Sequence, residues 1–175
     1  HLFPKFKFKI ENSIFSKIFK EKQLLNYISN NISSNNSIFY RTAGGRYWKI
    51  FLNRNFKNIS TSNKSKTFDK QYNNNAVVAV LNSNLFWWYF ANYFDLYNLK
   101  DYMIFSFPFS FKNDSEEISK LGIKLMKSFE RNVETKEQYI QSKSQKTYFE
   151  TFNPALSKEI IDEIDIALAK HYGFT

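Results

Sequence analysis

Ile38-Phe39-Tyr40-Arg41-Thr42-Ala43-Gly44-Gly45-Arg46-Tyr47-Trp48-Lys49-Ile50-Phe51-Leu52 decides how this chain is read. Two apolar, aromatic-rich runs flank Gly44-Gly45, and glycine supplies the positive φ that both central positions of a tight hairpin need. The stretch predicts a β-hairpin turning on the two glycines. Side chains alternate across an extended strand, so Arg46 and Trp48 would point one way and Tyr47 and Lys49 the other. With Arg41, Arg46 and Lys49 at or beside the turn, cations and aromatics would line one exposed rim suited to a duplex groove. A surface hairpin whose basic residues merely solvate it has the same local pattern, so the wider chain has to choose.

The charge of the chain favours the first reading. Net charge is +9, but residues 1–75 hold 14 Lys and Arg against 3 acids, whereas residues 76–175 hold 11 against 13. The excess lies wholly in the first part, as expected of a polyanion site that works by neutralising phosphates. Enrichment in Lys, Asn, Ile, Phe and Tyr is also what a compositionally biased genome produces, yet such bias does not remove acids from one half alone. At 175 residues, with 43% hydrophobic and 19% aromatic composition, the chain has ample material for a core. The absence of cysteine excludes disulfides and thiolate zinc sites and fits a reducing cytoplasm. His1 and His171 stand at opposite ends, a poor basis for a His metal site or triad. No signal-peptide pattern and no initiator Met open the chain, which reads as an internal or C-terminal piece of a longer protein.

Working outward, residues 5–10 alternate Lys with apolar groups and predict a half-buried strand or extended arm. Ser13 to Ile28 carries an approximate helical stripe with Ser13 as N-cap, and Asn30 to Asn36 reads as a polar linker. Residues 53–75 form the least regular stretch, an Asn-rich basic loop whose Ser60, Asn63, Lys64 and Lys66 are of the types that bond phosphate oxygens and base edges. Asn73-Asn74-Asn75 would cap a buried helix from 76, which continues past Asn82-Ser83-Asn84 or restarts there. The apolar run Ala76–Phe94 is nearly long enough for a bilayer, but that polar interruption and the mid-segment Trp87-Trp88-Tyr89 favour a buried helix. Met103 to Phe109 reads as extended, with core aromatics and a strand end at Pro108. Glu116 to Val133 predicts a long amphipathic helix, Tyr139 to Phe152 an extended or irregular segment, and Ser157 to Gly173 a final helix burying Ile160, Ile161, Ile164 and Leu168. Asp162, Glu163 and Asp165 would sit favourably near its positive end.

Phosphate-cradling glycine loops and nucleophile elbows are lacking in the sequence, and Asn153-Pro154-Ala155-Leu156 lacks the second Pro and the aromatic of an Asn-Pro-Pro-Tyr motif, so it reads as a turn.

Four segments taken together resemble the C-terminal part of large adenine-specific DNA methyltransferases of Type IIG and related restriction-modification systems. They are Ile38 to Ile50, Leu81-Asn82-Ser83-Asn84-Leu85-Phe86-Trp87-Trp88-Tyr89, Ser106-Phe107-Pro108, and Ser157 to Asp165 continuing through His171-Tyr172-Gly173-Phe174-Thr175. The resemblance implies a target-recognition domain that reads a DNA site, while a separate upstream domain binds S-adenosylmethionine and transfers the methyl group. It also implies a bacterial or archaeal cytoplasmic setting, truncation at both ends, and no catalytic residue, metal or cofactor in this chain. The expected partners are double-stranded DNA and the missing N-terminal methyltransferase domain, with no membrane.

The expectation is therefore an α+β fold: a mixed sheet with a Gly-Gly hairpin packed on helices, then a long amphipathic helix and a C-terminal helix. Residues 1–112 would form the recognition domain, and 113–175 a helical spacer and C-terminal helix packing on it. Expected DNA-binding residues are Tyr40, Arg41, Thr42, Gly44, Gly45, Arg46, Tyr47, Lys49, Ser60, Asn63, Lys64 and Lys66. A non-catalytic assembly module and a small nuclease are the competing functions.

Overall fold

The computed structural model describes residues 5–30, 35–94, 96–140 and 145–174. Helix α1 (Lys9–Ile18) and a 3-10 turn (Leu24–Tyr27) precede three strands, β1 (Ser37–Arg41), β2 (Phe51–Leu52) and β3 (Asn63–Thr67). Helices α2 (Asn74–Leu81), α3 (Asn84–Tyr93), α4 (Asp101–Phe105) and α5 (Ser115–Asn132) follow. A hairpin of β4 (Glu134–Ile140) and β5 (Gln145–Thr151), a second 3-10 turn (Pro154–Ser157) and α6 (Lys158–Tyr172) complete the order. The fold is α+β. Its two sheets, β2-β1-β3 and β4-β5, are antiparallel at every described pairing rather than mixed.

Helix α2 lies at the centre because its sequence leaves it no polar face. Ala76 through Leu81 are all buried, and a helix apolar on all sides has to be enclosed. It packs on β1, β2, α3 and α6, and most extensively along α5. There the backbones come so close that a Cβ on Gly122 would stand 2.0 Å from the Asn75 carbonyl oxygen. Asn73 caps α2, its side-chain oxygen accepting from Asn75 N at 2.9 Å. The helix ends at Asn82 and the chain restarts as α3, capped by Ser83 Oγ accepting from Phe86 N at 3.0 Å. Asp165 of α6 also accepts from Leu85 N at 3.2 Å, and burial holds its carboxyl above the usual carboxylate range. The apolar stretch is thus two short helices, and among the described residues no helix is long and apolar enough to cross a membrane.

Buried Asn82 ties this helix pair to the sheet. Its amide donates to Phe51 O at 2.8 Å and Val78 O at 2.7 Å, and its oxygen accepts from Phe51 N at 3.2 Å. The fully buried aromatics Phe51, Phe86, Phe90, Phe105, Phe107 and Phe109 belong to one hydrophobic cluster that also holds Leu125, Phe129, Ile164 and Leu168.

Several elements differ from expectation for local reasons. The alternating arm is not a strand over its described residues: Phe6 leaves to pack on Phe15 and Trp88, with ring centroids 5.0 and 5.9 Å apart. Helix α1 starts at Lys9, so Ser13 lies inside it, and the Glu11 carboxylate reaches back to the N–H groups of Lys7 and Phe8 at 2.7 Å each. The helix ends at Ile18 rather than running to 28. Met103 to Phe105 is helical, and only after Ser106 does the chain extend, with Pro108 bridging to Gln23. Of the expected 30–36 linker, residues 31–34 lie outside the described residues, whereas Asn36 donates to the carbonyls of Asp69 and Tyr72 at 3.0 and 2.6 Å. Helix α6 closes on Gly173 at φ +66°, as its sequence predicts.

Candidate nucleic-acid interface

Strand β1 is the middle strand of its sheet, and its pairing with β3 builds the candidate surface. Ser37 faces Thr67, Tyr40 faces Lys64 and Arg41 faces Asn63 in register. The segment expected as a loop is therefore an ordered edge strand, Asn63–Thr67. Its sequence has no apolar alternation, so only the long-range ladder identifies it, and a polar, half-exposed strand belongs at a sheet edge.

The glycine pair does not make a two-residue hairpin turn. The ladder between β1 and β2 ends at Tyr40 opposite Phe51, leaving residues 42–50 as a broad connection. Both glycines do take positive φ, +126° at Gly44 and +56° at Gly45, and Tyr47 N donates to Gly44 O at 3.4 Å. Beyond that turn the side chains stop alternating. Trp48 stacks on Trp87 with centroids 5.3 Å apart, and Lys49 folds back to donate from Nζ to the Gly45 carbonyl.

The expected site residues consequently fall into three groups. Tyr40 and Lys49 are buried. The Tyr40 hydroxyl donates to Asp101 at 2.6 Å, burial and that carboxylate push its pKa far up, and it has no surface to offer DNA. Arg41, Thr42, Ser60 and Asn63 are half-buried organisers of the β1–β3 corner. Arg41 donates to Asn58 Oδ1 at 2.5 Å and Asn63 Oδ1 at 3.2 Å, with its guanidinium 4.6 Å from the centre of the Phe56 ring. Thr42 N donates to Ser62 O at 2.9 Å, and Ser60 Oγ lies 2.9 Å from Ser62 Oγ. Lys66 pairs with Asp101 at 3.1 Å. Arg46, Tyr47 and Lys64 are exposed, and among the described residues neither Arg46 nor Lys64 makes an ion pair.

Two clefts meet at Phe56. One, of about 250 Å³, runs over β3 between Asn55, Asn58, Asn63 and Lys64. The other, of about 330 Å³, lies between the 42–50 loop and β5 and is walled by Tyr47, Trp48, Phe149 and Phe152, with Arg41 and Lys49 also lining it.

Sequence reasoning did not reach the groups that hold this second cleft. Arg54 donates bidentately to Glu150, from Nη2 at 2.8 Å and from Nη1 at 3.2 Å, and also pairs with Glu130. Lys57 N adds a third donor to Glu150 at 2.9 Å. Burial pushes the Glu150 carboxyl upward, but Arg54 and the Lys57 N–H outweigh it, so its pKa lies below the ordinary value. The available signal was a lone acid between aromatics in Tyr148-Phe149-Glu150-Thr151-Phe152, since an acid on the buried side of a strand demands a cationic partner. No group of three or more His, Asp or Glu among the described residues is placed to hold a metal ion.

Comparison of the chain with protein-family models, curated proteins and solved structures returns no match.

Proposed function

We propose that this chain is a DNA target-recognition domain of the kind its sequence resembles, meeting duplex DNA with the 42–50 loop and the β3 edge. The observation that carries the reading is the β1–β3 register, which sets an amide- and hydroxyl-rich strand beside Arg41, with Arg46 and Lys64 exposed and, among the described residues, in no direct ion pair, although Lys64 lies within the field of Asp101. Exposed cations suit phosphates, and Asn and Ser side chains suit base edges. The surplus of 14 cations over 3 acids in residues 1–75 supplies the long-range attraction. Arg41 acts here as the organiser of the corner rather than as a reader. Methyl transfer and S-adenosylmethionine binding belong, in this reading, to a separate domain, and the protein works in a bacterial or archaeal cytoplasm.

The test is binding to short random-sequence duplex DNA at two salt concentrations, with an Arg46→Ala/Lys64→Ala variant alongside. Salt-sensitive binding is expected, weaker in the variant and with a salt slope lower by about one per lost phosphate contact. Equal binding by both proteins, or none by the wild type at low salt, overturns the assignment.

A further inference from the structure

The cleft between the 42–50 loop and β5 holds a cation that the protein does not neutralise. Lys49 is only 5% exposed, yet among the described residues its ammonium has one hydrogen bond, to the Gly45 carbonyl, and no ion pair with a carboxylate. An ammonium has three N–H donors, and a buried charge is costly unless paired. Burial accordingly lowers its affinity for its own proton. The one acid in the cleft wall, Glu150, is already taken by Arg54 and the Lys57 N–H. Lys49 Nζ lies beneath the open backbone of Gly44, 3.7 Å from where a Cβ would stand. An anion entering the cleft would complete this ammonium.

The remaining walls state what should accompany the anion. Tyr47, Trp48, Phe56, Phe149 and Phe152 line the cleft, Phe56 already carrying the Arg41 guanidinium and Trp48 stacking on Trp87, and Tyr47, 82% exposed, offers the most accessible ring. Such surfaces stack on bases regardless of their identity. At about 330 Å³ the space suits a single small ligand. We propose that this cleft binds one nucleotide unit, its base against the aromatic walls and its phosphate on Lys49. The unit is either a free mononucleotide or the phosphorylated end of a single strand, which present the same chemistry. This inference goes beyond duplex recognition and does not depend on it.

The experiment titrates the whole chain with adenosine 5′-monophosphate, adenosine and inorganic phosphate, following heat and the intrinsic Trp fluorescence, to which Trp48 in the cleft wall contributes. The monophosphate is expected to bind saturably and about tenfold tighter than either fragment, and Lys49→Met to erase that advantage while adenosine binding persists. Should Lys49→Met fail to fold, Tyr47→Ala at the exposed rim is expected to weaken the monophosphate and adenosine alike. Equal affinity for monophosphate and adenosine in the wild type, or no binding at millimolar concentration, overturns the proposal. A 5′-phosphorylated single strand that displaces the monophosphate supports the strand source, and one that does not supports the free nucleotide. Loss of duplex binding with retained monophosphate binding would overturn the recognition reading and leave this one standing.

Discussion

A methyl group added at Gly122 has no room, because the Asn75 carbonyl oxygen already stands 2.0 Å from where it would sit. Alanine is the better helix former by about 1 kcal/mol, but overpacking against backbone costs about 1–3 kcal/mol or more, so the clash should win. Gly122→Ala is expected to lower the stability by a net of up to about 2 kcal/mol, read as a lower urea midpoint. Asn82→Ala tests the opposite fault, a hole in the hydrogen bonding. It strips partners from the N–H and C=O of Phe51, and at about 1–3 kcal/mol per stranded group the loss should reach about 2–6 kcal/mol. A fully folded Asn82→Ala protein of unchanged midpoint would contradict this. The Asn82-Ser83 interruption was legible as a helix break, since polar residues stand out in an apolar run. Its reach to β2, thirty-one residues back in the chain, was not, because nothing local distinguishes an amide that caps from one that crosses to a sheet. Lys49 shows the same limit. Alternation placed it on an exposed rim, whereas the broad 42–50 loop turns it inward.

The β4–β5 hairpin shows at the scale of an element what one buried ion can hold. A two-stranded hairpin is marginal alone, and Glu134 to Tyr139 of this one are exposed. Its base is fixed by Glu150 on Arg54 and Lys57 N, and by Phe152 packing on Phe129 and Phe56. Arg54→Ala leaves the carboxylate buried and without its cation, a change expected to cost about 3–5 kcal/mol and to speed amide exchange across residues 134–151 first. The pH dependence follows from the depressed carboxyl. A group whose folded pKa lies below its unfolded value contributes stability that is complete above the unfolded value, for a free Glu carboxyl 4.5, and is lost as pH falls through the folded one. The wild type should therefore lose stability on acidification below that point more steeply than Glu150→Gln. Asp165, raised from 3.8 by burial, works in the opposite sense, becoming less costly as it protonates. A Glu150→Gln acid limb that parallels the wild type would refute the linkage. Of the stretch 139–152, expected to be extended or irregular, residues 145–151 form β5, and 141–144 lie outside the described residues. Glu134-Thr135-Lys136-Glu137-Gln138 and Asn63-Lys64-Ser65-Lys66-Thr67 carry no apolar alternation, and only their partners make strands of them.

At the scale of the whole molecule the question is whether the proposed recognition surface and the C-terminal helices fold as one body. All three Trp residues, at 48, 87 and 88, lie in the first 112 residues, whereas α5 and α6 come after them. Yet α2, which precedes α3 and its two Trp residues, packs along α5, and Leu125 and Ile164, both fully buried, share one cluster with Phe51 and Phe86. One continuous hydrophobic cluster across both parts is expected to unfold as a single cooperative unit. Leu125→Ala removes a buried side chain from a helix that has no Trp, at an expected cost of about 2–5 kcal/mol. Under a shared core, the Trp fluorescence and far-UV circular dichroism midpoints should fall together and by equal amounts. If residues 113–175 were instead a spacer resting on an independent recognition domain, the dichroism would shift and the fluorescence would not. The same variant then bears on function. The β1–β3 corner with Arg41, Arg46 and Lys64 reaches α5 through α2, which packs on β1, so a protein partly unfolded by Leu125→Ala should lose duplex binding in step with its loss of Trp signal. Duplex binding that outlasts the Trp transition would place the binding surface elsewhere.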